Sequence, residues 1–132
     1  MNRLQRELIR DEGLRLKPYH CTAGKLTIGV GRNIEDNGIT EQEALYLLDN
    51  DITTSRRELS AYRWFVNLDV RRQEAVINMH FNLGLPRLLS FKKMIAALEE
   101  GRYEQAANEA LDSRWATQVG ERAVRIAQIL KG

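Results

Sequence analysis

The sequence predicts an α+β fold, with a small sheet-bearing lobe over about residues 1–50 and a larger helical lobe over about 51–132. Three observations predict it. Apolar residues recur at period two only in "KLTIGVG", residues 25 to 31, and at helical spacing almost everywhere else. Turn and capping signals fall where the period changes. The 132 residues, 43% hydrophobic and 29% charged, suffice for a single cored domain spanning 1–132 but not for two independent ones.

The elements follow in order. Leu4, Leu8 and Ile9 share one face of a first helix that Asn2 caps and Gly13 stops, so Glu12 lies in its last turn. In the strand from Lys25 to Gly31, Leu26, Ile28 and Val30 point one way and Thr27, Gly29 and Gly31 the other, giving an apolar face and a nearly bare one. Asn37-Gly38 is a turn signal, and Thr40 with Glu43 forms a capping box that opens "EQEALYLLDNDITTSRREL". Asp69 caps "VRRQEAVINMHFNLG", which ends at Gly84 before Pro86, and Ser90 caps "FKKMIAALEEG". "RYEQAANEALDS", "RWATQV" and "ERAVRIAQILKG" complete the helices. A cleft between the two lobes is the expected place for a ligand.

Composition excludes several function classes. A net charge of +2 and a pI near 8.8 fall far short of the basic blocks that bind nucleic acid, and Arg56-Arg57, Arg71-Arg72 and Lys92-Lys93 read as solvated helix faces. One cysteine excludes an intramolecular disulfide and points to a reducing compartment. "MNRLQRELIRDEG" carries charges every few residues, so neither a signal peptide nor a stable membrane association is expected.

The chemistry concentrates in the small lobe. Glu12 stands at the negative end of a helix dipole, which suits a proton donor, although a surface charge is the ordinary reading. Thr27, Gly29 and Gly31 share the face that lets a sugar or peptide approach the backbone; the glycines could equally mark a bulge. Cys21 with His20 or His80 raises a metal site or a cysteine nucleophile. One cysteine and two histidines do not make a zinc set, so no metal is expected. A Cys/His hydrolase needs its partner only nearby in space, and an inert thiol or a surface histidine is the plainer reading.

Glu12-Gly13, Tyr19, Cys21, Gly24 and "TIGVG" at 27 to 31 resemble the signature of the phage-type lysozymes, the muramidases of glycoside hydrolase family 24. In that family a glutamate, eight residues, an aspartate or cysteine, five residues and a threonine form the catalytic triad, a spacing matched by Glu12, Cys21 and Thr27. "INMHFNLG" at 77 to 84 and "SRWATQVGERAVR" at 113 to 125 resemble the family's helical-lobe motifs in the same order. Cys21 occupies the place where many relatives keep an aspartate, Arg32 replaces the histidine often found after "GxG", and the stretch before "NGIT" is short.

The resemblance implies a lysozyme-like fold and hydrolysis of the β-1,4 bond between N-acetylmuramic acid and N-acetylglucosamine in peptidoglycan. Glu12 would be the general acid, with Cys21 and Thr27 positioning a water for inversion. It further implies that Arg122 pairs with Glu12, that Phe81 and Asn82 line the cleft, with core packing the other reading of Phe81, and that no cofactor is needed. A phage or prophage endolysin is implied: a monomer made in the host cytoplasm, released to the periplasm by a holin and acting on glycan strands. A lytic transglycosylase, a Cys/His amidase or peptidase, and a binding-only glycan module are the alternatives.

Overall fold

The computed structural model describes residues 1–132, which form two compact units, Met1–Leu47 and Leu48–Gly132. The protein is mostly helical with one small antiparallel sheet, the α+β class expected. No helix is long and apolar enough to cross a membrane.

The first unit begins with α1 (Arg3–Glu12). Its N-terminus is closed by a capping box in which the Asn2 side chain accepts from Gln5 N–H and the Gln5 side chain accepts from Asn2 N–H, and Gly13 ends it. The sheet has the order β1 (Arg15–His20), β2 (Leu26–Gly29), β3 (Arg32–Asn33). β1 is a strand that the 25–31 pattern did not reveal; the predicted strand forms β2 as far as Gly29, and its last two residues, Val30-Gly31, turn the chain into β3, which lies beyond the predicted span. Tyr19 pairs with Thr27 and His20 with Leu26, and the register shifts by a bulge between Arg15 and Tyr19. Asn33 caps a single turn, α2 (Ile34–Asn37), so Asn37-Gly38 closes a helical turn. Leu26, Ile28 and Val30 do not form a covered face: Val30 is exposed, and Ile28 and Val30 face an open groove of about 650 Å³ bordered by Ile34, Ile39, Tyr46 and Leu47. Thr27, on the face expected to be bare, is the only buried side chain of the unit.

The second unit holds the core. α3 (Glu41–Leu59), opened by the expected Thr40–Glu43 capping box, contributes its residues from Leu48 onward, of which Ser55 and Leu59 are buried. A single turn, α4 (Arg63–Val66), buries Trp64 and Phe65. α5 (Val70–Leu83), capped by Asp69 as expected, buries Ala75, Val76, Met79, His80 and Leu83, a stripe at helical spacing. α5 ends at Gly84 as expected, and Pro86 sits in the first turn of the next helix, α6 (Leu85–Leu89), where its missing N–H costs nothing. Ser90 does not cap the next helix: its hydroxyl donates to Arg87 O and finishes α6, while α7 (Lys92–Glu99) starts after Phe91 without a side-chain cap.

α8 (Tyr103–Leu111), α9 (Arg114–Val119) and α10 (Glu121–Lys131) follow the predicted spans. Buried Ala106, Ala107 and Ala110 on α8, with Ala123 and Ala127 on α10, let these helices approach closely. Arg72 fastens the end of α10 by donating to Leu130 O at 2.7 Å and Lys131 O at 3.0 Å, with its guanidinium 3.6 Å from the Tyr103 ring centre.

Candidate active site

The β1–β2 hairpin builds one half of the site. Cys21 N–H donates to Lys25 O and Gly24 N–H to Cys21 O, a turn made possible by Gly24 at φ +79°. Tyr19 stands opposite Thr27, so strand alternation puts Cys21 on the face of Thr27 and His20 on the other. The Thr27 hydroxyl donates to Lys25 O at 2.8 Å, which fixes it in the same turn. The Lys25 backbone N–H, and next that of Ala23, pull the Cys21 thiol below its ordinary pKa; partial burial opposes them and the Thr27 hydroxyl assists. The thiol is half-buried and available as a hydrogen-bond acceptor.

The other half is the end of α1. Glu12 is exposed, and its carboxyl lies against the backbone of Gly31: a Cβ there would stand 2.9 Å from Oε2 and 3.3 Å from Cδ. Gly31, at φ +66°, is thus needed for both its conformation and its lack of a side chain. Gly29 leaves open space on its strand.

Residues proposed in the helical unit are anchored there. Arg122 donates from Nε to Asn78 Oδ1 at 2.9 Å and from Nη2 to Asn78 O at 3.1 Å. Phe81 is 46% exposed, which excludes its reading as core. Asn82 is exposed and its Oδ1 accepts from Trp115 Nε1 at 2.9 Å, so its amide is oriented. His80 is buried, not the surface histidine expected: Nδ1 is 2.9 Å from Ser55 Oγ, and Nε2 is 2.7 Å from Glu58 Oε2 without hydrogen-bond alignment. No three His, Cys, Asp or Glu side chains gather as a metal site.

Sequence spacing missed two residues. Asn78 orients Arg122 from one turn before Asn82, and Glu43 receives the guanidinium of Arg32. Glu43 is visible in the sequence only as a capping residue.

A mostly helical chain with one small three-stranded antiparallel sheet has the T4-lysozyme-like α+β fold. The phage lysozyme family model matches residues 10–128, and the chain belongs to that family. It is 32% identical to the pre-baseplate central spike protein of Enterobacteria phage T4 over 93% of this chain, though it spans only 26% of that protein's length. It is 28% identical to a Dictyostelium discoideum protein named "Probable T4-type lysozyme 1", covering 92% of this chain and 89% of that protein. An endolysin of Acyrthosiphon pisum secondary endosymbiont phage 1 is 34% identical over 76% of this chain and 69% of its own. Membership makes the chain a muramidase, an enzyme of peptidoglycan lysis.

Proposed function

We propose that the protein hydrolyses the β-1,4 bond between N-acetylmuramic acid and N-acetylglucosamine with inversion. The observation that carries this reading is the glutamate carboxyl seated on Gly31 together with a thiol of lowered pKa on the hairpin face of Thr27. Glu12 gives its proton to the glycosidic oxygen as the bond from C1 breaks. Water held by Cys21 and Thr27 attacks C1 from the opposite face and loses a proton to the thiolate or to solvent. By the family resemblance, Phe81, Asn82 and Arg122 are supporting residues for the glycan.

A Cys/His hydrolase is less well supported, because His20 falls on the other hairpin face and both ring nitrogens of His80 face Ser55 and Glu58. The protein works without a cofactor, as a monomer and endolysin made in the host cytoplasm and admitted to the wall by a holin. Mass spectrometry and anomer analysis of digested peptidoglycan test the reaction: the α-anomer of a reducing end is expected. A 1,6-anhydro product would make it a transglycosylase, and released peptide an amidase or peptidase.

A further inference from the structure

We propose that Arg32 is a positioning residue for Glu12, acting through the backbone of Gly31; the inference rests on the reading of Glu12 as the acid. The Glu12 carboxyl has no salt-bridge partner within its own unit, and it lies so close to Gly31 that a Cβ there would stand 2.9 Å from its Oε2. The next residue carries the strongest side-chain anchor of that unit. Arg32 Nη1 donates to Glu43 Oε1 at 2.8 Å, Nη2 donates to Oε2, and Nη1 also reaches Gly38 O at 3.3 Å. Such a two-pronged pair fixes direction as well as distance.

Glu43 is itself held. Its Oε1 accepts from Thr40 N–H at 2.8 Å and its own N–H donates to Thr40 Oγ1 at 3.1 Å, which sets it in the first turn of the 19-residue α3. The linkage therefore runs from a long helix through Glu43 and Arg32 to Gly31 and ends on the catalytic carboxyl. Apart from this pair, Gly31 is held only by the β2–β3 turn, in which Ile28 pairs with Arg32 and Thr27 with Asn33; β3 is two residues long and no apolar side chain of the unit is buried. Both partners of the pair remain about 40% exposed (40% and 39%), where an ion pair adds little to stability. Its consequence is geometric: removing it lets Gly31 shift, and a displaced proton donor slows the chemical step.

The experiment compares Arg32→Met, Arg32→Lys, Glu43→Gln, Thr40→Ala and Glu12→Gln in the full chain, measuring kcat, KM and Tm on solubilised peptidoglycan glycan. Arg32→Met and Glu43→Gln should each lower kcat about ten- to hundredfold with KM nearly unchanged, the cost of a displacement on the order of 1 Å. The double variant should lose no more than either single one, and Arg32→Lys should recover part of kcat. Thr40→Ala removes the hydroxyl cap but keeps the N–H that holds Glu43, so it should lower Tm while sparing kcat. Should Arg32→Met not fold, Glu43→Gln carries the same test. Equal kcat in Arg32→Met and wild type, a change confined to KM, or kcat falling in step with Tm through Thr40→Ala would overturn the inference alone, with Glu12→Gln inactive. Turnover by Glu12→Gln would instead remove the acid, and this positioning role with it.

Discussion

The two units are held together by different physics. Every buried hydrophobic side chain, from Leu59 to Leu130, belongs to the second unit, whereas the first buries only the polar Thr27. In place of a core, the first unit has local bonds: the Asn2–Gln5 and Thr40–Glu43 capping boxes, Lys25 with Glu35 and Asp36, and Arg32 with Glu43. The second gains free energy from apolar area removed from water, which is insensitive to direction; the first depends on bonds that hold only in one geometry. Glu12, Cys21 and Thr27 all lie in the unit built by directional bonds. If these three residues carry out the proposed reaction, its precision and the bulk stability are supplied by separate stretches of chain.

The largest effect expected separates chemistry from folding within the first unit. Glu12→Gln should lower kcat by about 10²–10⁴, the usual worth of a positioned acid, with Tm and glycan binding unchanged, because the side chain is exposed and an amide of the same shape keeps its seat on Gly31. Steady-state turnover with thermal melts checks both halves. A residual rate near wild type would take the acid's role from Glu12.

Next comes a deletion matched across the two units. Phe65, 2% exposed and edge-to-face on Trp64, should cost about 3–5 kcal/mol when replaced by alanine, read from urea unfolding. Leu45→Ala, at an exposed position of the first unit, should stay within about 0.5 kcal/mol. Comparable losses would mean that the first unit has an apolar core of its own.

Acid sharpens the contrast. Arg32, and after it the Thr40 backbone, lower Glu43 from 4.5 to about 2. A carboxyl whose folded pKa lies below its unfolded one stabilises the fold fully above the unfolded value, and that contribution is lost as pH falls from about 4.5 through about 2. Asp69, lowered chiefly by its bond from Arg72, follows the same sign in the second unit, but there the apolar core remains when it is protonated. Hydrogen exchange between pH 5 and 2 should therefore lose protection at Thr27 and Asn33 before Val76 and Met79. Glu43→Gln should flatten the pH dependence of the first unit. Simultaneous loss in both units would contradict the separation.

What was legible in the sequence follows the same division. Asn2, Gly13, Thr40 with Glu43, Asp69 and Gly84 act within a few residues of themselves, so their roles could be read directly. Strand β1 could not: Leu14 and Leu16 alternate with Arg15 and Lys17 but face solvent, and the pairing with β2 is broken by a bulge. Ser90 sits between two helices and its hydroxyl serves the earlier one, a choice that local pattern leaves open. Arg32 and Glu43 are eleven residues apart, and nothing in either neighbourhood announces their pairing. The Cys21–Thr27 spacing gains chemical meaning from the family resemblance, and the hairpin supplies its physical reason by putting both on one face.

The smallest change in rate is expected for one conservative substitution at Cys21. If its task is to accept a hydrogen bond from water, Cys21→Asp should keep kcat within about tenfold, because a carboxylate accepts at least as well and is ionised at neutral pH. The same backbone N–H groups of Lys25 and Ala23 that favour the thiolate would receive the aspartate. Cys21→Ala removes the acceptor and should lose more, about 10²-fold or beyond, and alkylation of the native thiol should inhibit by filling the space beside Thr27. A nucleophilic thiol predicts the reverse order, with an inactive but folded Cys21→Asp and a glycan or peptide adduct on wild-type Cys21 that intact-mass measurement would detect. Because the turn holds residue 21 by its backbone, through Cys21 N–H to Lys25 O and Gly24 N–H to Cys21 O, either substitution leaves the hairpin formed. The ranking of the two variants therefore reports on the side chain's chemistry and not on the fold.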